Sequence, residues 1–224
     1  MAKVKVLSVS DRVSEIIYSM HLRERFSSAD LVISCGDLPY YYVEYIVSAL
    51  DVPVFYVRGN HARVMEVSAS GQERTSPQGA IDIHNCMIEH RGILMAGIEG
   101  SIRYKDGPYQ YTQSQMWLNV FGIVPSLFKN RMVHGRYLDI FVTHAPPWKI
   151  QDKEDWPHQG VKAFRWLLEV FKPRVHYHGH IHLYGHNDMI DTQFGSTHVM
   201  NTYGHRFETL DLPVYTPPVK RNHS

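Results

Sequence analysis

The sequence predicts an α/β protein, a four-layer αββα sandwich in which two mixed β-sheets are flanked by helices. Short apolar runs rich in branched and aromatic residues, typical of buried strands, alternate with helical patterns through much of the chain. This alternation favours βαβ units with parallel strands. Residues 81–98 differ, because their apolar runs follow one another through short turns that leave no room for helices.

Each predicted element rests on its own pattern. Five strands separated by longer segments are predicted at residues 4–9, 31–34, 54–57, 138–142 and 174–177. Apolar residues at helical spacing predict helices over residues 14–26, 41–50 and 161–171. The closely spaced runs at 81–83, 86–89 and 93–98 predict antiparallel strands of a second sheet or an extension of the first. Further strands are predicted at 197–202 and 206–210, and residues 187–191 are a candidate for one more.

Three segments do not fit this alternation. Residues 62–79 are polar and rich in turn formers, which is typical of a functional or mobile loop. Residues 103–136 form an aromatic-rich insertion, interpreted either as a wall of the functional site or as packing for an extra helix. The chain is expected to form a single domain over residues 1–212, with a poorly ordered tail at 213–224.

Composition narrows the class of protein. The chain is 44% hydrophobic and 20% charged, which is typical of a soluble globular protein, and its formal net charge of +1 argues against a broad nucleic-acid or membrane-binding surface. No apolar stretch approaches the roughly 20 residues needed to cross a bilayer. Two cysteines make no disulfide framework, so a cytoplasmic location is expected. Composition predicts nothing about the oligomeric state.

Polar side chains follow five of the predicted strands, at the point where each strand ends. They are Asp11, Asp37, Asn60 with His61, His144, and the run His178, His180 and His182. The carboxyl ends of parallel strands are where open α/β sheets build their sites. Taken alone, each residue has an ordinary explanation, such as a helix cap for Asp11 or a turn for His144. The ordered set of carboxylate, amide and imidazole donors favours a metal site.

In this order the motifs resemble those of the calcineurin-like metallophosphoesterase superfamily. Its pattern is D-x-H, G-D-x-x-D, G-N-H-D/E, a lone histidine and G-H-x-H. The insertion with Gly107-Pro108-Tyr109 is similar to a bacterial branch that resembles the class III cyclic-nucleotide phosphodiesterases. The resemblance implies one metal ion held by four residues, Asp37, Asn60, His144 and His180. It implies a second ion held by Asp11, the bridging Asp37, and His182.

The resemblance also implies a mechanism. Two divalent ions, Mn, Fe or Zn from the mixed oxygen and imidazole donors, would supply a bridging hydroxide. His61 would protonate the leaving oxygen or steady the phosphoryl oxygens. Arg58, Tyr40 and His178 are candidate substrate contacts. The implied function is hydrolysis of a small-molecule phosphodiester, for example of nucleotide type. The alternatives are a phosphomonoesterase or protein phosphatase, and a catalytically weak scaffold that binds a protein.

The sequence departs from the family pattern at three positions. Val13 replaces the D-x-H histidine, so the Asp11–His182 position lacks a ligand and is expected to bind its ion weakly, to recruit Glu15, or to stay empty. Ala62 and Tyr40 replace the acids that follow G-N-H and end G-D-x-x-D. We therefore expect Tyr40 or a backbone carbonyl to orient His61.

Overall fold

The computed structural model describes residues 2–68, 71–184 and 191–213. Within these ranges the strands are β1 (Ala2–Ser10), β2 (Leu31–Ser34), β3 (Val54–Tyr56), β4 (Glu66–Val67), β5 (Glu73–Arg74), β6 (Ile81–Asp82), β7 (Met87–His90), β8 (Ile93–Ile98), β9 (Ser101–Ile102), β10 (Gln110–Tyr111), β11 (Ile140–Thr143), β12 (Val175–His178), β13 (Asp191–Phe194), β14 (Thr197–Asn201) and β15 (Gly204–Leu212). The α-helices there are α1 (Leu22–Phe26), α2 (Tyr40–Leu50), α3 (Gln113–His134) and α4 (Lys162–Phe171), and a 3-10 helix covers Trp156–His158.

Two mixed sheets carry the fold. The first has the order β15-β1-β2-β3-β6, with β1, β2, β3 and β6 parallel and β15 antiparallel to β1. The second has the order β13-β14-β12-β11-β8-β7, with four parallel central strands and an antiparallel strand at each edge. The pairs β4–β5 and β9–β10 form two small sheets outside them.

Alternation along the central strands explains why the sheets stack. On β2, Ile33 belongs to the apolar cluster between the sheets, whereas its neighbour Val32 packs with α1 and α2. On β11, Val142 joins the cluster between the sheets and Phe141 faces outward, with its ring 5.5 Å from that of Phe164 in α4. Successive side chains of a strand point to opposite faces, so both sheets are covered on both sides. The predicted four-layer arrangement is confirmed.

The helix predicted over residues 14–26 is much shorter in the structure. Residues 14–18 form a single turn, closed by the hydrogen bond from the Tyr18 N–H to the Ser14 carbonyl, and α1 begins only at Leu22. Between them, the Ser19 hydroxyl donates to the Ile16 carbonyl. Serine hydroxyls that bond to nearby backbone compete with helix propagation, which accounts for the early stop.

The aromatic insertion has two parts. Its second part is the 22-residue helix α3, which begins at a capping box formed by Thr112 and Gln115 and packs with α4 on the outer face of the second sheet. The extra-helix interpretation therefore holds for this part. Its first part, from Arg103 to Tyr109, turns toward the predicted site and places Tyr104 beside Asn60.

The remaining predictions concern one strand, one loop and two segments toward the C-terminus. The run at 81–83 extends the first sheet as β6, but it is parallel to β3 rather than antiparallel. Residues 62–79 contain the β4–β5 hairpin. Most of the candidate strand at 187–191 and the tail from residue 214 lie outside the described residues, and β13 begins at Asp191. In the described ranges, no helix has the length and apolar character needed to span a membrane.

Candidate metal centre

The predicted donors meet at one edge of the two sheets. Asp11, Asp37 and Asn60 follow β1, β2 and β3 of the first sheet, and His144 and His180 follow β11 and β12 of the second. The parallel pairing of these strands puts their carboxyl ends on the same side. Hydrogen bonds then join the sheets, because the His180 N–H donates to both carboxylate oxygens of Asp11 at 3.1 and 3.0 Å.

The imidazole of His144 lies at the centre of the cluster. Its Nδ1–H donates to the Cys35 carbonyl at 2.7 Å, which turns Nε2 toward Oδ2 of Asp37 at 3.1 Å and Oδ1 of Asn60 at 2.9 Å. Side-chain ligand atoms of Asp11, Asp37 and His144 all lie within 4.8 Å of one another. Carboxylate, amide and imidazole donors that converge in this way fit a divalent transition metal.

Charge at the cluster favours a cation between its donors. Burial disfavours the charged form of His144, but the negative charge and hydrogen bond of Asp37 outweigh it and raise the pKa of His144 to about 9. Burial alone would raise the pKa of Asp37. The charge and hydrogen bond of His144 outweigh burial, and the pKa of Asp37 falls to about 2. Nε2 of His144 thus faces two acceptors, and a proton holds them together where a metal ion would otherwise do so.

His180 is prepared as a neutral ligand. Its Nε2–H donates to the Pro157 carbonyl at 2.8 Å, which leaves Nδ1 as the nitrogen with a lone pair. The ring is 5% exposed and its centroid is 5.0 Å from that of His144. Burial lowers the pKa of His180 to about 3. A neutral imidazole beside the cluster is the state in which histidine binds metals.

The Asp11–His182 half of the site is looser. Nε2 of His182 lies 3.7 Å from Oδ1 of Asp11, and 42% of the His182 side chain is exposed. Its Nδ1 and the Tyr184 hydroxyl are 2.7 Å apart, and its ring lies 4.9 Å from the ring of Tyr203. The two donors are thus near each other, but one of them faces solvent.

Glu15 does not take the place of the histidine that Val13 replaces. The Val13 side chain packs against the apolar cluster of α1 and α2. Glu15 is exposed and lines a separate cavity with Arg12, Ser14 and Tyr203. The expectation that Glu15 fills the gap is therefore not supported by its placement.

Backbone geometry at the site is unusual. Asp11, Asp37 and His180 have φ angles of 62°, 55° and 66°, in the left-handed region that residues other than glycine seldom adopt. Two motif glycines allow the close packing around them, since a Cβ at Gly59 would collide with the Asp37 carboxylate and one at Gly179 with the Asp11 carboxylate. Strain and close approach of this kind are concentrated at functional sites.

His61 lies at the rim of the cluster. Its backbone N–H donates to Oδ1 of Asp37 at 2.8 Å, and its Nε2 is 3.3 Å from the hydroxyl of Tyr104. The expectation that Tyr40 orients His61 is wrong, because the single hydrogen of the Tyr40 hydroxyl is directed at the Arg63 and Thr75 carbonyls, which lie 2.9 and 3.0 Å from its oxygen. Tyr40 instead lines a groove beside the site.

Two predicted substrate contacts are engaged elsewhere. His178 is fully buried, with Nε2 2.8 Å from Oε1 of Gln151, so it is withdrawn as a substrate contact. The guanidinium of Arg58 is paired with Asp82 and lies 3.6 Å from Glu99. Burial lowers the pKa of Arg58, but the negative charge of Asp82 outweighs it and raises that pKa. Arg58 is therefore engaged with these carboxylates and is not placed to balance substrate charge.

Two residues near the site, Tyr104 and His158, lie outside the sequence motifs. Tyr104 contacts both Asn60 and His61 from a position more than forty residues along the chain. The ring of His158 lies 5.3 Å from that of His180, and its Nδ1 is 2.5 Å from Oδ2 of Asp155. The aromatic content of the insertion was the only sequence signal for Tyr104. His158 was one of several basic residues without distinctive spacing.

Comparison with known proteins identifies related sequences and folds. The family model for calcineurin-like phosphoesterases matches residues 11–184, whereas no curated protein matches the chain. The crystal structure of TT1561 of Thermus thermophilus has a TM-score of 0.59 at 16% identity, covering 94% of this chain and 99% of that one. Vacuolar Protein Sorting 29 from Cryptosporidium parvum has a TM-score of 0.41 at 11% identity, covering 89% of this chain and 74% of that one. A predicted phosphoesterase from Streptococcus pneumoniae has a TM-score of 0.38 at 13% identity, covering 91% of this chain and 74% of that one.

Proposed function

Because the chain belongs to the calcineurin-like phosphoesterase family, we propose that it is a metal-dependent hydrolase of a small-molecule phosphodiester. The observation that carries this proposal is the convergence of Asp11, Asp37 and His144 ligand atoms within 4.8 Å of one another. Family membership supports a hydrolase of phosphoester bonds in general. The diester, the pair of ions and the roles of single residues are our proposal.

Six side chains would hold two divalent ions, with Mn, Fe or Zn as the candidates. They are Asp37, Asn60, His144 and His180 for one position, and Asp11, Asp37 and His182 for the other. When bound, such ions offset phosphate charge and lower the pKa of a water molecule toward about 7. The left-handed backbone at Asp11 and Asp37 aims both carboxylates into the same space.

The chain's own groups would act on the leaving oxygen. His61 stands on the cleft that also contains Asp37, Arg63 and Glu66, with a volume of 380 Å³. Its imidazole would donate a proton to the departing oxygen, and Tyr104 would hold the ring in position. Two partly buried cations near the cleft, Arg58 and Arg74, are already paired with carboxylates.

With Arg58 and Arg74 paired, Arg63 is the cation that lines the cleft, and this limited positive charge favours a diester over a monoester. A diester carries one negative charge at neutral pH, whereas a monoester carries nearly two and needs more positive charge around it. Phosphomonoester hydrolysis remains the alternative on the same scaffold. A cytoplasmic location is part of the proposal, and the free thiols of Cys35 and Cys86 support it.

The test compares two substrates on manganese-loaded protein. Bis-p-nitrophenyl phosphate should be turned over faster than p-nitrophenyl phosphate, and Asp37→Ala or His144→Ala should abolish both reactions. Asp211→Ala and His134→Ala, at positions distant from the cluster in sequence and fold, serve as matched controls. Activity that survives Asp37→Ala would overturn the mechanism, and preference for the monoester would favour the alternative.

A scaffold role makes a different prediction, motivated by Val13. A catalytically weak scaffold should bind less than about one metal ion per chain and hydrolyse neither ester after manganese is added. Metal analysis of the purified protein beside the two assays therefore separates it from both enzymes.

A further inference from the structure

A second cavity adjoins the metal centre. The cleft at Asp37 and His61 shares three lining residues, Tyr41, Glu66 and Val67, with a neighbouring groove of 620 Å³. Tyr41 lies in the first turn of α2, four residues after Asp37. The two cavities are therefore neighbours with a common wall, and one of them contains a proposed metal ligand, Asp37.

The groove has aromatic walls held in place by their neighbours. The side chains of Tyr18 and Tyr41 are 49% and 51% exposed, and their rings meet edge to face at 5.5 Å. Tyr18 also rests against the ring of Tyr45 at 4.9 Å, and the Tyr45 hydroxyl is fixed by a 2.6 Å hydrogen bond to the Ser19 carbonyl. Val67 of the β4–β5 hairpin adds an apolar surface that is 64% exposed. Exposed apolar surface grouped in this way marks a binding site.

The cation that lines the groove is already paired. Arg74 binds Glu44, which also accepts the N–H of Gln78 at 2.9 Å. A second carboxylate, Glu66, accepts the backbone N–H of Tyr40 at 3.1 Å. An anionic ligand group would therefore meet carboxylates and an occupied guanidinium here, whereas a flat uncharged ring would cover Tyr18 and Tyr41 without disturbing an ion pair.

We infer that this groove binds a flat, uncharged aromatic ring carried by one ester group of the substrate. The inference rests on the proposed function, since the wall shared with the cleft places the groove next to the proposed phosphodiester site. Two sources share this chemistry, the base of a nucleotide ester and the ring of an aryl ester. Stacking on tyrosine tolerates either, because both present a π-face.

Inhibition constants measure the contribution of the ring. Methyl esters of thymidine 5′-phosphate, phenyl phosphate and ribose 5-phosphate would compete with bis-p-nitrophenyl phosphate on manganese-loaded protein. Tyr41→Ala and Tyr18→Ala should weaken the two ring-bearing inhibitors by about 5-fold or more, the lower range for a lost base stack, and leave the ribose ester unchanged. Tyr41→Phe should retain wild-type inhibition. Phe128→Ala, which removes an aromatic ring that is 51% exposed on α3, is the matched control.

The loss of inhibition in the tyrosine variants distinguishes a nucleobase from an aryl ring. A larger loss for the thymidine ester assigns the groove to a nucleobase, and equal losses assign it to aryl rings in general. Inhibition by the ring-bearing esters that is the same in wild type and in the Tyr18→Ala Tyr41→Ala double variant overturns the inference. Circular dichroism of each variant checks that the fold is retained.

A binding measurement without metal separates this inference from the proposed function. Saturation-transfer NMR should show transfer from the metal-free protein to the base protons of thymidine, reduced in Tyr41→Ala and retained in Phe128→Ala. If that pattern appears while no diester is hydrolysed, the groove assignment stands and the proposed function fails. If diesters are hydrolysed and the transfer is equal in all three proteins, the groove assignment fails alone.

Discussion

The hydroxyl of Tyr104 lies 3.3 Å from Nε2 of His61, and the same oxygen accepts the Nδ2–H of Asn60 at 3.3 Å. An amide nitrogen can only donate, so the tyrosine oxygen accepts there. Its own hydrogen can be donated to a neutral His61, and its second lone pair can accept the Nε2–H of a protonated His61. A residue of the aromatic insertion thus connects a proposed metal ligand with the proposed proton donor. It does so in a chain where Ala62 replaces the family's acid.

Tyr104→Phe should slow hydrolysis by removing this hydrogen bond while keeping the ring. We expect kcat to fall by about 10-fold to 100-fold, the range for losing a group that orients a functional histidine. The loss should be larger for methyl phenyl phosphate than for bis-p-nitrophenyl phosphate, because a poorer leaving group depends more on protonation. Steady-state kinetics on both esters measures it.

A double-mutant cycle gives the control for Tyr104. In a His61→Ala background, Tyr104→Phe should have little further effect, since the residue it positions is gone. Equal effects of Tyr104→Phe with and without His61 would show that the hydroxyl acts independently of the imidazole.

The two metal positions should differ in affinity. The Asp37–Asn60–His144–His180 position is buried, whereas the Asp11–His182 position has one half-exposed donor and Val13 where the family has histidine. Calorimetric titration of EDTA-treated protein with Mn²⁺ should show one tight and one weak binding event. Val13→His should strengthen the weak event by about 10-fold or more, as an added imidazole would.

His182→Ala removes a proposed ligand of the weaker position. In the same Mn²⁺ titration it should eliminate the weak binding event and leave the tight one. Two equivalent events in wild type, or loss of the tight event in His182→Ala, would contradict this assignment of positions.

Without metal, the protein should be most stable near pH 6.5. The folded-state pKa of His144, about 9, lies above the ordinary 6.5, so its stabilising contribution is complete below 6.5 and is lost as the pH rises through about 9. Burial lowers the pKa of His178 to about 4 and that of His180 to about 3. These two bind protons more readily when unfolded, so stability also falls as the pH drops below 6.5.

Urea unfolding of EDTA-treated protein at pH 5, 6.5 and 8.5 tests this maximum. Each of these groups contributes a slope of up to about 1.4 kcal/mol per pH unit in its window. His144→Gln should flatten the alkaline side and leave the acid side in place. A free energy of unfolding that rises from pH 6.5 to 8.5 in wild type would contradict the prediction.

Gly179→Ala should destabilise the protein and weaken metal binding. The added Cβ would collide with Oδ2 of Asp11 and with the Ser10 side chain, so one of them must move. Overpacking of this kind costs about 1–3 kcal/mol of unfolding free energy. Gly122→Ala is the matched control, since its Cβ meets nothing within 4 Å in α3 and alanine favours a helix. Urea unfolding and Mn²⁺ titration of both variants measure the difference.

The donors at strand ends were predictable because each depends on local sequence. A buried run that ends in Gly-Asp, Gly-Asn-His or Gly-His-x-His identifies both a strand and the donor at its carboxyl end, and parallel pairing brings these ends together. That rule accounts for the position of His144 beside Asp37 and Asn60. It does not account for the orientation of the His144 ring, because the acceptor of its Nδ1–H is the backbone carbonyl of Cys35, which no residue pattern reveals.

Elements that depend on tertiary packing were harder to predict. Helix α3 contains Gly122 and Pro125, and its weakly segregated apolar residues resemble an irregular segment in sequence. The contact of Tyr104 with His61 depends on how β9 and β10 turn the chain back toward β3. The β6 strand pairs in parallel with β3 although it lies between elements that form antiparallel pairs.

His144 belongs to the second sheet but donates from Nδ1 to Cys35 of the first. Because the proposed ligands come from both sheets, a bound ion would cross-link the two halves of the sandwich in addition to its proposed part in hydrolysis. Its binding energy then adds to cohesion of the fold, by an amount that grows with free metal concentration. A shortage of metal would lower the free energy of unfolding and stop hydrolysis at the same time, so the amount of folded protein and its activity would decline together.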